Sequence, residues 1–113
     1  MKDLAPNIYR QRLVIEGYPL KPISDREIKD YLSELSDVLK MHTLLSPVTH
    51  RSDKFGWAGW IHWETSGAHF YAWERPRLFF SVDIYTCKKF DIEEATRFTA
   101  DYFETSSIEI KEF

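Results

Sequence analysis

The chain has 113 residues, is 43% hydrophobic and 16% aromatic, and carries a formal net charge of −3. That length fits one domain with a modest core, and the lack of any Lys/Arg block argues against a nucleic-acid surface. A lone cysteine, Cys87, excludes an intrachain disulfide and points to a reducing, intracellular setting.

No apolar run approaches the roughly 20 residues of a membrane helix. The opening "MKDLAPNIYR" lacks the apolar core of a signal peptide. The expectation is a cytoplasmic protein, one domain over residues 1–113, with no membrane and no nucleic-acid partner.

In chain order, "IYRQRLVIEGY" (Ile8–Tyr18) is rich in β-branched and aromatic residues and reads as a first strand. Ser24-Asp25-Arg26-Glu27 has the form of a capping box. Behind it Ile28, Tyr31, Leu32, Leu35, Val38 and Leu39 recur at helical spacing, which predicts a helix from about Asp25 to Met41. "HTLLSPVTH" predicts a second strand, and Pro47 argues that it is an edge or is irregular there. "WAGWIHWE" and "AHFYAWE" predict strands three and four, linked by Thr65-Ser66-Gly67. "LFFSVDIYTC" predicts a fifth strand. Asp91 suits the cap of a second helix with Ala95, Phe98, Tyr102 and Phe103 on its inner face. "SSIEIKEF" alternates and predicts a closing sixth strand.

The order β-α-β-β-β-β-α-β fits a two-layer α+β sandwich: one mainly antiparallel sheet of about six strands with both helices on one face. The other sheet face then holds aromatics with nothing over them. Such a face binds a ligand or dimerises.

His42, His50, His62 and His69 show no metal-ligand spacing, and no metal is expected. Four glycines form no phosphate loop. Cys87, at the end of a strong strand, reads first as a small buried hydrophobe. The Thr65-Ser66-Gly67 link has two readings. In one it is a β-turn with Gly67 supplying a positive φ. In the other it is a strained turn in which the Ser66 hydroxyl attacks the preceding carbonyl; the ester then eliminates to a pyruvoyl group, an internal electron sink. The residues alone leave both open.

The string "ETSGAHFYAWERPRLFFSVDIYTC" resembles the core of the bacterial and archaeal S-adenosylmethionine decarboxylases, small pyruvoyl-dependent enzymes of polyamine (spermidine) synthesis. Ser81–Cys87 is similar to their Asp-Phe-Thr-Cys strand, and Trp73 matches their Trp. His50-Arg51 and Gly56–Gly59 are similar to the segment before their cleavage site, and Leu13–Glu16 to their first strand. The likeness covers nearly the whole chain. It implies a fold with two sheets joined in a homodimer. It also implies self-cleavage before a serine that falls on Ser66, the pyruvoyl precursor. Cys87 takes the place of the family's proton donor, and Glu16, Phe55, Trp57 and Trp73 would hold substrate.

Several positions depart from that pattern. Thr65 precedes Ser66 where the family has Glu, and Gly67 follows it where the family has His. The family's catalytic histidine falls on Tyr71, whose ordinary pKa near 10 makes it a poor base. The serine that assists processing falls on Ala58. His69 lies two residues before Tyr71 on the same strand face, a displacement of roughly 6–7 Å. Phe55, Trp57, Trp60, Tyr71 and Trp73 suit stacking on an adenine or a sulfonium.

Three functions are therefore open. The first is a pyruvoyl decarboxylase of S-adenosylmethionine, with Ser66, Cys87, Tyr71 and His69 as catalytic candidates. The second is an uncleaved, non-catalytic homologue that binds a small molecule or regulates a partner. The third is a pyruvoyl-dependent decarboxylase of another amino acid such as arginine or ornithine, permitted by Ala58, Tyr71 and Ser52.

Overall fold

The computed structural model describes residues 2–113. The chain runs β1 (Gln11–Tyr18), α1 (Asp25–Val38), β2 (Thr43–Ser52), β3 (Gly56–Trp63), β4 (Ser66–Trp73), β5 (Phe79–Thr86), α2 (Ile92–Tyr102) and β6 (Ser107–Glu112). The six strands form one sheet in the order β2-β3-β4-β5-β1-β6, antiparallel at every pairing. This is the two-layer α+β sandwich that the element order predicts.

Strand alternation explains the layering. In β1, Leu13 and Ile15 are buried; in β4, Ala68, Phe70 and Ala72; in β5, Phe80, Val82 and Ile84. Their cross-strand partners continue the same side, as in Ile15↔Val82↔Phe70. Both helices cover this side. Tyr31 of α1 is fully buried, with its ring 5.3 Å from Phe70 and 4.9 Å from Phe103. Its hydroxyl meets Thr99 of α2 at 2.7 Å, which ties the two helices together beneath the sheet.

The helix starts follow from their caps. Ser24 accepts from the Glu27 N–H while Glu27 accepts from the Ser24 N–H, the reciprocal capping box. Asp91 caps α2 by accepting from Glu94 N–H at 3.1 Å. β2 is an edge strand, and its register with β3 shifts between Leu45 and Val48, around Pro47. A residue without an N–H is tolerated at that irregularity.

Strand ends shift by one or two residues throughout, and three boundaries differ from the sequence reading in ways that matter here. β1 begins at Gln11, three residues after Ile8. α1 ends at Val38, because Leu39 forms the cap and Lys40 turns the chain with φ 58°. The β3–β4 link is Glu64-Thr65 alone; Ser66 and Gly67 already belong to β4. Gly67 has no positive φ, so the proposed turn role for it is incorrect. Gly56 is the glycine that needs one, at φ 135° in the β2–β3 turn. Among the described residues no helix is long and apolar enough to cross a membrane.

Candidate functional site

The face of the sheet away from the helices carries three ordered rows of side chains. Directly opposed residues share a face, so pairing extends each row across the sheet. The first row runs Leu45, His62, Gly67, Tyr85, Arg12. The second runs Val48, Trp60, His69, Asp83, Val14, Lys111. The third runs His50, Ala58, Tyr71, Ser81, Glu16, Glu109. Among the described residues no helix or strand covers them, although the stretch before β1 lines a hollow with Arg12 and Tyr85. Leu45, Val48, Tyr71 and Tyr85 are all exposed.

Rows one and two enclose a shallow depression of about 360 Å³, bordered by Arg12, His62, Gly67, His69, Asp83 and Tyr85. Ser66 and Ala68 also border it, but both alternate onto the helix side, where Ala68 is buried. Arg12 grips Asp83 with two hydrogen bonds, Nε to Oδ1 at 3.0 Å and Nη2 to Oδ2 at 2.8 Å. The carboxylate beside Arg12 raises the guanidinium pKa further, so this cation is fixed. Asp83 lies directly across from His69.

The third row separates two further hollows. Phe55, Tyr71 and Trp73 come together around one of about 190 Å³, which His50 and Ala58 also border. The aromatic line continues from Tyr71 to Trp73 at 5.8 Å, to Phe79 at 5.4 Å, and to Tyr18 at 6.3 Å. At the far end of the row, Glu16 and Glu109 oppose each other on neighbouring strands beside a hollow of about 250 Å³. Among the described residues neither carboxylate forms an ion pair with a cation.

The residues singled out from the sequence divide into three groups. His69 and Tyr71 do share the open face, with ring centroids 6.4 Å apart. Glu16, Trp73 and Phe55 border the same surface. Cys87 follows Tyr85 in alternation and is exposed, not a buried hydrophobe. Trp57 borders the hollow with Phe55, Tyr71 and Trp73, but it alternates onto the helix side, where its ring packs against the core. Ser66 also turns away. It pairs with Trp63 on one side and Thr86 on the other, both buried on the helix side. Its Oγ is buried and has no hydrogen-bond partner among the described residues.

Sequence reasoning did not find the Arg12–Asp83 pair or the Glu16–Glu109 opposition. Alternation puts each residue on the open face, but only the β5-β1-β6 register brings them together.

The comparisons with known proteins agree with this architecture. The family model described as S-adenosylmethionine decarboxylase matches residues 11–113. Among solved structures, the adenosylmethionine decarboxylase from Aquifex aeolicus is similar with a TM-score of 0.76 and 15% identity, over 94% of this chain and 89% of that one. None of the curated proteins compared with the chain matches it. With the match running from β1 to the last residue, the chain belongs to the S-adenosylmethionine decarboxylase family.

Proposed function

We propose that the open sheet face binds S-adenosylmethionine, or a close relative with a ring system and a cation. The observation that carries this reading is the third row. Aromatic rings gather at Tyr71, and unpaired carboxylates stand at Glu16 and Glu109, with Ser81 between them. Two like charges directly opposed across strands are unfavourable without a counter-charge. Lys111 borders the same hollow without an ion pair to either carboxylate, and a ligand cation between them would relieve that repulsion. Tyr71 and Glu16 are two strands apart, roughly 10 Å at the usual spacing of about 4.8 Å. That span suits a ligand stacked at one end and cationic at the other. Family membership supports the same substrate class.

A homodimer is the partner that supports this site best. The uncovered Leu45, Val48 and Tyr85 give a second copy apolar surface to cover, and doing so would desolvate the ligand between the copies.

Decarboxylation in polyamine synthesis would add a pyruvoyl group made from Ser66. The residues around Ser66 do not fit its formation. The side chains flanking it on the helix side, Trp63, Thr86 and Ala68, include no acid or base, and the open-face candidates His69 and Tyr71 alternate to the opposite side.

The test is calorimetric titration of the purified chain with S-adenosylmethionine, S-adenosylhomocysteine, arginine and ornithine. The proposal expects binding of S-adenosylmethionine, weaker binding of the neutral thioether, and at least a tenfold loss for Glu16→Gln. Equal affinity for both adenosyl compounds would remove the cation from recognition. Binding of arginine or ornithine in their place would move the site to the basic amino acids.

A further inference from the structure

We infer that the Thr65–Ser66 peptide bond does not cleave itself and that the chain acts as a single polypeptide. Self-cleavage would require the Ser66 Oγ to attack the Thr65 carbonyl carbon while a base takes the hydroxyl proton. The C–N bond would then break to an ester with a protonated amine. Elimination would release the Thr65 carboxylate, and the resulting enamine would tautomerise and hydrolyse, consuming water and releasing ammonia, to leave the pyruvoyl group. Four features of the hairpin oppose this sequence.

The first is direction. Ser66 is paired in the ladder on both sides, opposite Trp63 and Thr86, and its Oγ is buried with no partner. Among the described residues no side chain is placed to accept its proton. The Thr86 hydroxyl, the nearest in register, already donates to the carbonyl of Lys88. The Trp63 indole N–H donates to Ser36 at 2.7 Å.

The second is the relaxed turn. Neither Glu64 nor Thr65 has a positive φ, and the residues on both sides are regular strand. No left-handed residue stores strain beside the bond that would break.

The third is anchoring. Glu64 N–H donates to His42 O at 2.8 Å, and Cys87 N–H donates to Thr65 O at 3.1 Å. The turn is held from β2 and from β5, with the scissile carbonyl fixed in a strand-like bond. That bond is a donor for a developing oxyanion, but a donor without a base does not start the attack.

The fourth is Gly67. A Cβ built there would lie 2.5 Å from the backbone oxygen of Ile61. The hairpin therefore closes only because residue 67 has no side chain. A chain carrying histidine after the serine must hold this hairpin differently. The absence of that side chain and the closed geometry are one feature.

This inference does not depend on which ligand the open face takes. The test reads the chain alone: intact mass of the full-length protein after prolonged incubation at neutral pH, together with a hydroxylamine-type carbonyl label. One species of full-length mass without label is expected. Fragments 1–65 and 66–113, the second carrying a reactive carbonyl, would overturn the inference. A second readout uses Ser66→Ala. If the hydroxyl is buried, unpaired and inert, its removal raises Tm, by up to about 4 °C for a domain of this size. A fall in Tm would show that the hydroxyl has a partner and would overturn the geometry on which the inference stands.

Discussion

The backbone N–H of Cys87 donates to the carbonyl oxygen of Thr65 at 3.1 Å, so the residue after β5 holds the turn between β3 and β4. The contact uses the main chain of Cys87 and leaves its exposed thiol free. Cys87→Ala therefore keeps the tether. Its unfolding free energy should stay within about 0.5 kcal/mol of the parent. Cys87→Pro removes the donor and should lower stability by about 1 kcal/mol or more. Denaturant midpoints of the two variants compare side chain with main chain.

Gly67 makes a sharper prediction. With the Cβ position 2.5 Å from Ile61 O, Gly67→Ala must push two backbones apart. Overpacking of this kind costs roughly 1–3 kcal/mol. The variant should melt well below the parent in a thermal scan. An unchanged Tm would mean that the hairpin opens readily, and would weaken the case for a closed turn at Ser66.

The layout of the fold was legible in the sequence, and the details of the site were not. Six strands, two helices and the uncovered face follow from alternation, helical spacing and the Ser24 and Asp91 caps. The sequence puts Cys87 inside the end of β5, but the strand stops at Thr86 and the exposed thiol lies one residue beyond it. In the sequence Trp57 stands with Phe55, Trp60, Tyr71 and Trp73 as a stacking residue, because aromatic type says nothing about direction. The β2–β3 register sends it to the helix side. Ser66 shows the same limit: a glycine after a hydroxyl suggested a turn, while pairing with Trp63 puts both residues in β4.

The core offers a test independent of the site. Burial pushes the Tyr31 hydroxyl pKa upward, and among the described residues its polar contact is Thr99 at 2.7 Å. Tyr31→Phe should cost about 1 kcal/mol, since Thr99 keeps its own bond to Ala95 O. A cost near 4 kcal/mol in chemical denaturation would instead indicate repacking of the ring cluster with Phe70 and Phe103.

Acid stability should depend in part on Glu74. Hydrogen bonds from Arg51 hold its carboxyl below the ordinary value of 4.5, with a smaller opposing effect of burial. A depressed carboxyl contributes stability that is present above the unfolded-state pKa and is lost as pH falls through the folded-state pKa. The stability difference between the parent and Glu74→Gln should be constant at neutral pH and shrink below about pH 4.5. A difference that stays flat down to pH 2 would remove the ion pair from the explanation.

Association should involve the open face. Leu45→Glu with Val48→Glu places two charges on its exposed edge without touching the buried side. Sedimentation should show a dimer for the parent and a folded monomer for the double variant. A monomeric parent would contradict the dimer.

The most direct measurement is a native mass spectrum of the full chain incubated with saturating S-adenosylmethionine. The expected peak is the uncleaved chain, as a dimer with ligand bound, collapsing on denaturation to one species of full-length mass. Appearance of fragments 1–65 and 66–113 would contradict the intact Thr65–Ser66 bond. A full-length chain that never gains ligand mass would contradict binding on the open face.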